Sequence, residues 1–241
     1  MLAYPSLAYD LALRIEAGEV SPVRVPVINV TAEPLYEFQR RKIETCLADH
    51  VYSRYGAREF GTVAFECRQK QGLHIIAESV YIEIIPSFFN NDVGVVLVTD
   101  LLNKTMPLIR YRIGDLAKVD ESKCSCGLEL PRLLEIQGRE VDTIWRPDGT
   151  GLPGFQIVIL VGQCGIDTKV QVVQKKPEEI IIRVQGRLDE HKSAIDRLLD
   201  IFREVIGNDI NYLVCQVEKI ERAPSGKYRY VISDVKRPVA G

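Results

Sequence analysis

The chain has 241 residues, 46% of them hydrophobic and 27% charged, with a formal net charge of −2. That length holds one large domain or two ordinary ones with cores of their own, and the composition is that of an ordinary globular protein. The charge balance and the want of any basic stretch exclude a broad nucleic-acid face, and no apolar run approaches the ~20 residues of a membrane-spanning helix.

The opening "MLAYPSLAYDLALRIEAGEV" has no basic n-region and carries Asp10 and Glu16, so it does not read as a signal peptide. Six cysteines are too sparse for a secreted disulfide framework. The expected compartment is therefore the cytoplasm, with reduced thiols.

In chain order, "YPSLAYDLALRIEAG" has apolar residues at helical spacing and stops at Gly18, which predicts a helix. "RVPVINVTAE" reads as a strand, "LYEFQRRKIETCLAD" as a second helix, and "HVYSRYG" as a short strand closing on Gly56. The alternation predicts a parallel α/β layer over 1–61 that starts abruptly, with no opening strand. From Thr62 to Val119 the segments "TVAFEC", "VYIEII", "VGVVLVTD" and "PLIRYRIGDLAKV" are short and β-rich. Gly, Pro and an Asn90-Asn91-Asp92 turn separate them, which predicts antiparallel sheet or a small barrel, the second subdomain at 62–142.

"WRPDGTGLPG" is the best candidate boundary. Beyond it "FQIVILVG", "TKVQVVQK" and "EEIIIRVQG" supply two or three strands, 188–206 reads as a helix, "YLVCQVEKI" as a strand and "ERAPSGKYR" as a polar loop. A small α+β domain over 143–241 is expected.

Cys124-Ser125-Cys126-Gly127 supplies two thiols one residue apart, half of a structural metal site. "FECRQKQGLHII" sets Cys67 and His74 in turn-like context upstream, in the same β-rich region. Thiolates and imidazoles suit zinc, so Cys67, His74, Cys124 and Cys126 make one candidate Cys₃His site. The alternative is that Cys67 is a small buried hydrophobe and Cys-Ser-Cys a plain turn. Cys46, in a helix face, and Cys164 and Cys215, in strand-like runs, are expected in the core.

Four further segments carry candidate chemistry: Tyr55, Gly56 and Glu59 in "SRYGAREFG"; Arg112, Gly114 and Asp115 in "PLIRYRIGDLA"; Gly138, Arg139 and Asp142 in "IQGREVD"; and Lys227 in "RAPSGKYR". An aromatic edge with bare backbone packs on a base, one carboxylate chelates ribose hydroxyls, and a second holds Mg²⁺. A lysine meets charge developing on phosphate. Each segment alone is more readily a turn than a site.

In this order "YGAREFG", "YRIGD", "GREVD" and "APSGKYR" resemble the Y-G-x-x-E, Y-R-T-G-D, G-R-x-D-D and S-G-K-[IF]-x-R motifs of the adenylate-forming (acyl-CoA synthetase) superfamily. The resemblance runs from about Tyr4 to Arg229. It is strongest to the phenylacetate–CoA ligase branch, which includes coenzyme F390 synthetase-like and CapK-like proteins, and "ECRQKQGLHI" and "CSCG" look like that branch's zinc elements.

The resemblance implies that Tyr55, Gly56 and Ala57 line adenine and that Glu59 holds Mg²⁺. Asp115 would take the ribose hydroxyls with Arg139 nearby, and Lys227 would bridge the carboxylate and the α-phosphate. It also implies a mobile C-terminal domain turning at Asp142, and a structural Zn²⁺. The implied reaction uses ATP to convert a small carboxylic acid to an acyl-adenylate, then passes the acyl group to a thiol such as coenzyme A. A homodimer is compatible with it.

Three departures qualify that expectation. No Ser/Thr/Gly-rich phosphate loop occurs in the chain, so the chain is expected to be the C-terminal part of such a ligase, weak in ATP binding and inactive by itself. Val141 stands where the family usually has the first Asp of the hinge, so either Asp142 has taken the role or the hinge motion is altered. Arg58 is an unusual charge beside the base site, unless it is simply solvated. Two other readings stay open: ligation to an acceptor other than CoA, such as adenylyl or amide transfer in polysaccharide or cofactor assembly, and a non-catalytic, zinc-stabilised binding module.

Overall fold

The computed structural model describes residues 1–90, 93–120 and 122–236; Asn91 and Asp92 of the expected turn lie outside the described residues. Two compact units emerge, Met1–Gln137 and Gly138–Gly241.

The first unit opens with strand β1 (Leu2–Ala3), which pairs in parallel with β2 (Val25–Val30). A two-residue opening strand was not expected, because so short a run carries no periodicity. Helix α1 (Pro5–Glu16) starts on a proline, whose missing N–H is no loss in the first turn. It ends where Gly18 N donates to Ile15 O and Glu19 N to Arg14 O, a Schellman closure. In α2 (Glu37–Cys46) the Gln39 side chain accepts from the Tyr36 backbone N–H at 3.2 Å, which satisfies an otherwise orphaned donor.

Both helices cover strands β2 and β3 (Ala48–Ala57), burying Ala8, Ala12, Ile28, Val30, Ile43 and Val51 in one cluster. Arg40 locks the layer: it donates to Val51 O at 2.6 Å and pairs with Glu66 at 2.7 Å, while Glu66 accepts from Ser53 N.

Strand β3 is shared. Its first half runs parallel to β2, with Val27 opposite His50, and its second half runs antiparallel to β4 (Gly61–Glu66), with Tyr55 opposite Ala64. The α/β layer and the β-rich segment are therefore one sheet. It continues through β5 (Leu73–Ile75), β6 (Val80–Asn90), β7 (Val93–Asp100), β8 (Tyr111–Asp120) and β9 (Arg132–Arg139). The strand order is β1-β2-β3-β4-β5-β9-β8-β7-β6. Of the two expectations for 62–142, antiparallel sheet is the one seen among the described residues. A second core cluster joins Tyr55, Val63, Leu73, Val96, Ile113 and Leu133.

In the second unit a 3₁₀ turn at Glu140–Asp142 precedes a hairpin of β10 (Ile144–Trp145) and β11 (Gly151–Leu152). "RPDGT" is thus a hairpin turn, with Asp148 accepting from the Thr150 N–H at 2.8 Å. "FQIVILVG" is a helix, α3 (Gly154–Gln163), and not a strand. A continuous apolar run fits either element; here Gly154, Phe155, Ile157 and Val158 face inward at helical spacing behind Pro153.

Strands β12 (Val170–Lys176) and β13 (Glu179–Gln185), helix α4 (Lys192–Val205), β14 (Asn211–Val217) and β15 (Val231–Ser233) complete a four-stranded sheet of order β14-β13-β12-β15. Helix α4 buries Ala194, Ile195, Leu198 and Phe202 on one stripe; full burial of Leu198 and Phe202 contributes roughly 1.5–3 kcal/mol each. Cys164 is buried at the end of α3 rather than in a strand, and Cys46 packs partly against the first core. Cys215 departs from expectation: it is exposed, because β14 is the edge strand and this position faces outward. No helix among the described residues is long and apolar enough to cross a membrane.

Candidate functional site

Two groups of predicted residues converge in the first unit. In the first group, Tyr55 and Asp115, 60 residues apart, meet where the Tyr55 hydroxyl donates to Asp115 Oδ2 at 2.8 Å. Local backbone makes this possible from both sides. Opposite Tyr55 and Gly56 the β3–β4 register shifts, and a Cβ on Gly56 would lie 2.1 Å from Gly61 O, so only glycine fits. On β8, Leu97 pairs with Arg112 and Val95 with Leu116, which leaves Ile113, Gly114 and Asp115 bulged opposite Val96. Gly114 sits at φ 83°, left-handed backbone, and the bulge re-aims Asp115.

Glu59, in the turn after β3, accepts from the Tyr111 hydroxyl at 3.3 Å, and Tyr111 meets Phe60 edge-on at 5.7 Å between ring centres. Ala57, Phe60 and Tyr111 all pack against the core that holds Tyr55. Tyr111, inside "YRIGD", is not among the candidate residues read from the sequence, yet it is the side chain set against Glu59; its signal is the aromatic that alternates with Ile113 along the strand. Arg58 is exposed, as its solvated reading expects.

The second group is Cys67, His74, Cys124 and Cys126, whose ligand atoms all lie within 4.8 Å of one another. Cys67 Sγ is 3.7 Å from Cys124 Sγ, and Cys126 Sγ is 3.4 Å from His74 Nε2. A tetrahedral zinc with Zn–S near 2.3 Å and Zn–N near 2.0–2.1 Å sets sulfurs about 3.8 Å apart and sulfur from nitrogen about 3.5 Å. The four residues fit such an ion in spacing and in donor chemistry.

The turns are built for thiolates. Each cysteine sulfur takes a backbone N–H from two residues ahead: Gln69 to Cys67, Cys126 to Cys124, and Leu128 to Cys126. That bond, first among its influences, holds the Cys124 thiol below its ordinary range. Burial dominates at Cys67 and pushes its thiol up. Burial, then the Arg132 guanidinium, pushes His74 down and favours neutral imidazole, while the nearby Leu130 backbone acts the other way. Neutral imidazole is the form that binds metals.

In the second unit Asp142 pairs with the Arg229 guanidinium. Lys227 sits in a tied turn, with Ala223 N donating to Lys227 O at 2.9 Å and Gly226 N to Ala223 O at 2.7 Å. The flanking residues are anchored too: the Tyr228 hydroxyl donates to Val170 O at 3.0 Å and Gln171 Nε2 to Arg229 O at 2.8 Å. Arg139 closes β9, immediately before the Glu140–Asp142 turn.

Known proteins share this arrangement of elements. A family model described as the CapK C-terminal domain matches residues 145–234. The phenylacetate-coenzyme A ligase of Thermus thermophilus is 29% identical over 217 residues, which cover 83% of this chain and 46% of that protein. The crystal structure of 2-hydroxyisobutyryl-CoA ligase in the postadenylation state with 2-HIB-AMP aligns with a TM-score of 0.75 at 21% identity, over 97% of this chain and 54% of that one.

The resemblance to the adenylate-forming superfamily is thereby shown. Fatty acyl-adenylate ligases from E. coli and L. pneumophila also share the fold of this superfamily, with a TM-score of 0.64 at 14% identity over 94% of this chain. At such identities the solved structures establish the adenylate-forming ligase fold alone. The chain spans about half the length of these proteins.

Proposed function

We propose that this chain forms the C-terminal part of an AMP-forming carboxylic acid–CoA ligase of the phenylacetate–CoA ligase type. The observation that carries the reading is the meeting of Tyr55 on β3 and Asp115 on β8, strands separated by three others in the order of one sheet, since the two come from separate superfamily-like motifs with separate parts in holding a nucleoside. In this reading the divisions 1–61, 62–142 and 143–241 are the remainder of the adenylating α/β layer, its β-rich subdomain, and the mobile domain that carries Lys227.

The reaction has two halves. A carboxylate oxygen attacks the α-phosphorus of ATP, and pyrophosphate leaves; the thiol of CoA then attacks the acyl carbon, and AMP leaves. Tyr55, Gly56 and Ala57 flank adenine. Asp115 accepts hydrogen bonds from the ribose hydroxyls with Tyr55 orienting its carboxylate, and Arg139 lies at the same ribose. Lys227 offsets the charge shared by the attacking carboxylate and the phosphate.

Glu59, a carboxylate that accepts from the Tyr111 hydroxyl, would be the hard oxygen ligand for Mg²⁺, and the ion would supply charge neutralisation on the phosphates. Zinc held by Cys67, His74, Cys124 and Cys126 would be structural, joining the β4–β5 loop to the loop before β9. Asp142 serves as hinge. The β- and γ-phosphate cradle is expected to come from outside these residues, so turnover by the 241-residue chain alone is expected to be negligible.

Pyrophosphate exchange tests the reading: a polypeptide extended upstream should exchange label into ATP with one acid of a panel, and Lys227→Ala should slow exchange by about 100-fold or more. No exchange with any acid, alongside AMP binding that ignores Asp115→Ala, rejects it. The match to the CapK C-terminal domain over 145–234 favours one second reading, in which the acyl or adenylyl group passes to an acceptor other than CoA. Exchange that is normal while CoA is not consumed would select it.

A further inference from the structure

One buried cation is explained neither by the core nor by the proposed reaction. Arg132 opens β9 at 3% exposure, where a guanidinium costs several kcal/mol unless its donors are met. Its arms go to the two loops that carry the cysteines. Nη1 donates to Gln71 O, in the segment between Cys67 and His74. Nη2 donates to both the carbonyl and the hydroxyl of Ser122 at 2.9 Å, two residues before Cys124. The strand register sets Arg132 directly opposite His74. One side chain thus braces every segment that delivers a sulfur or imidazole to the cluster.

Charge points the same way. Three thiolates and a neutral imidazole around a divalent ion leave a net charge of about −1, which a buried site tolerates best beside a fixed positive group. Arginine suits both tasks, because its planar fork reaches two loops at once and stays charged; lysine offers the charge without the fork.

We infer that Arg132 is the positioning residue of the metal site: it pre-sets the two cysteine loops at tetrahedral spacing and balances the charge of the loaded cluster. The inference rests on reading Cys67, His74, Cys124 and Cys126 as that site. The sequence signal is an arginine at the head of "RLLEI", directly before the apolar pair Leu133-Leu134.

The test is zinc affinity of the 241-residue chain by competition with a chromophoric chelator, with cobalt absorption as a second readout. Wild type should hold one equivalent with a tetrahedral cobalt spectrum. Arg132→Gln should bind zinc about 10- to 100-fold more weakly, and Arg132→Lys should fall between. The metal-free melting temperature should move less than the zinc-loaded one. Wild-type affinity in both variants, or equal losses of melting temperature with and without zinc at unchanged affinity, would overturn the inference.

If neither Arg132 variant folds, Ser122→Ala decides: loss of one accepted hydrogen bond should weaken zinc by about 2- to 10-fold, and no change overturns it. A wild-type chain that takes up no zinc overturns the metal reading itself, and the inference with it.

Discussion

Tyr55 and Asp115 are joined by a hydrogen bond of 2.8 Å between residues 60 positions apart, and Tyr55 belongs to the core cluster that also holds Ile113, two residues before that aspartate. The bond therefore links the part of the sheet proposed to hold the nucleoside to its packing. Hydrogen bonds to charged groups contribute about 1.5–3 kcal/mol. Tyr55→Phe and Asp115→Asn should each cost about 1.5 kcal/mol in urea unfolding, and the double variant clearly less than their sum. Additive costs would mean that the bond adds nothing to the fold.

Gly56, opposite Thr62, and Gly61, opposite Ala57, lie on paired strands beside the β3–β4 register shift but should respond differently to alanine. At Gly56 a Cβ meets backbone, the Gly61 carbonyl, at 2.1 Å, so the strands must part; Gly56→Ala should cost about 2 kcal/mol or more. At Gly61 a Cβ meets nothing within 4 Å, and only its φ of 69° opposes substitution, at about 1 kcal/mol. Unfolding midpoints of the two variants check the order, and a reversed order would refute the steric account.

Much of this was legible in the residues, and the failures have physical causes. Helices α1 and α2 carry their own start and stop chemistry. The Cys₃His cluster was legible because two turn-borne thiols needed partners, and only Cys67 and His74 had turn-like sequence context in the same β-rich region, although His74 itself lies in β5. The run at Phe155–Val161 was misread because continuous apolarity has no period, and the deciding fact, inward burial at helical spacing, is tertiary. Cys215 was misread because edge or centre is a property of the sheet rather than of the strand. The sharing of β3 between parallel and antiparallel partners was invisible for the same reason.

Tyr212 gives the second unit a pH dependence. Its hydroxyl lies 2.9 Å from both Phe202 O and Gly207 O and shares its single proton between them, and burial pushes its pKa up to about 12 from an ordinary 10. Between those values the folded chain keeps a proton that the unfolded chain releases. The stabilisation is therefore whole below pH 10 and is lost as pH rises toward about 12. Tyr212→Phe should cost about 1 kcal/mol at neutral pH and flatten the alkaline fall in stability. A variant that melts as wild type does at neutral pH and retains the fall would refute it.

The sulfur cluster predicts what metal removal does, and to which residues. Its ligands join the β4–β5 loop to the loop before β9, while the strands between them have apolar cores that need no ion: Val63, Leu73 and Leu133 are buried in one cluster. Chelation, or Cys124→Ser, should therefore leave the sheet folded and loosen the two loops. Hydrogen exchange should speed up over 67–72 and 122–130, by about 10-fold or more if local opening gains as little as 1.4 kcal/mol. Exchange at Ile28, Val30 and Val51, in the separate cluster under α1 and α2, should not change. Were those residues to lose protection along with the loops, zinc would be holding the whole unit together. Were no amide to respond in a chain that contains zinc, the ion would be bound without bracing anything.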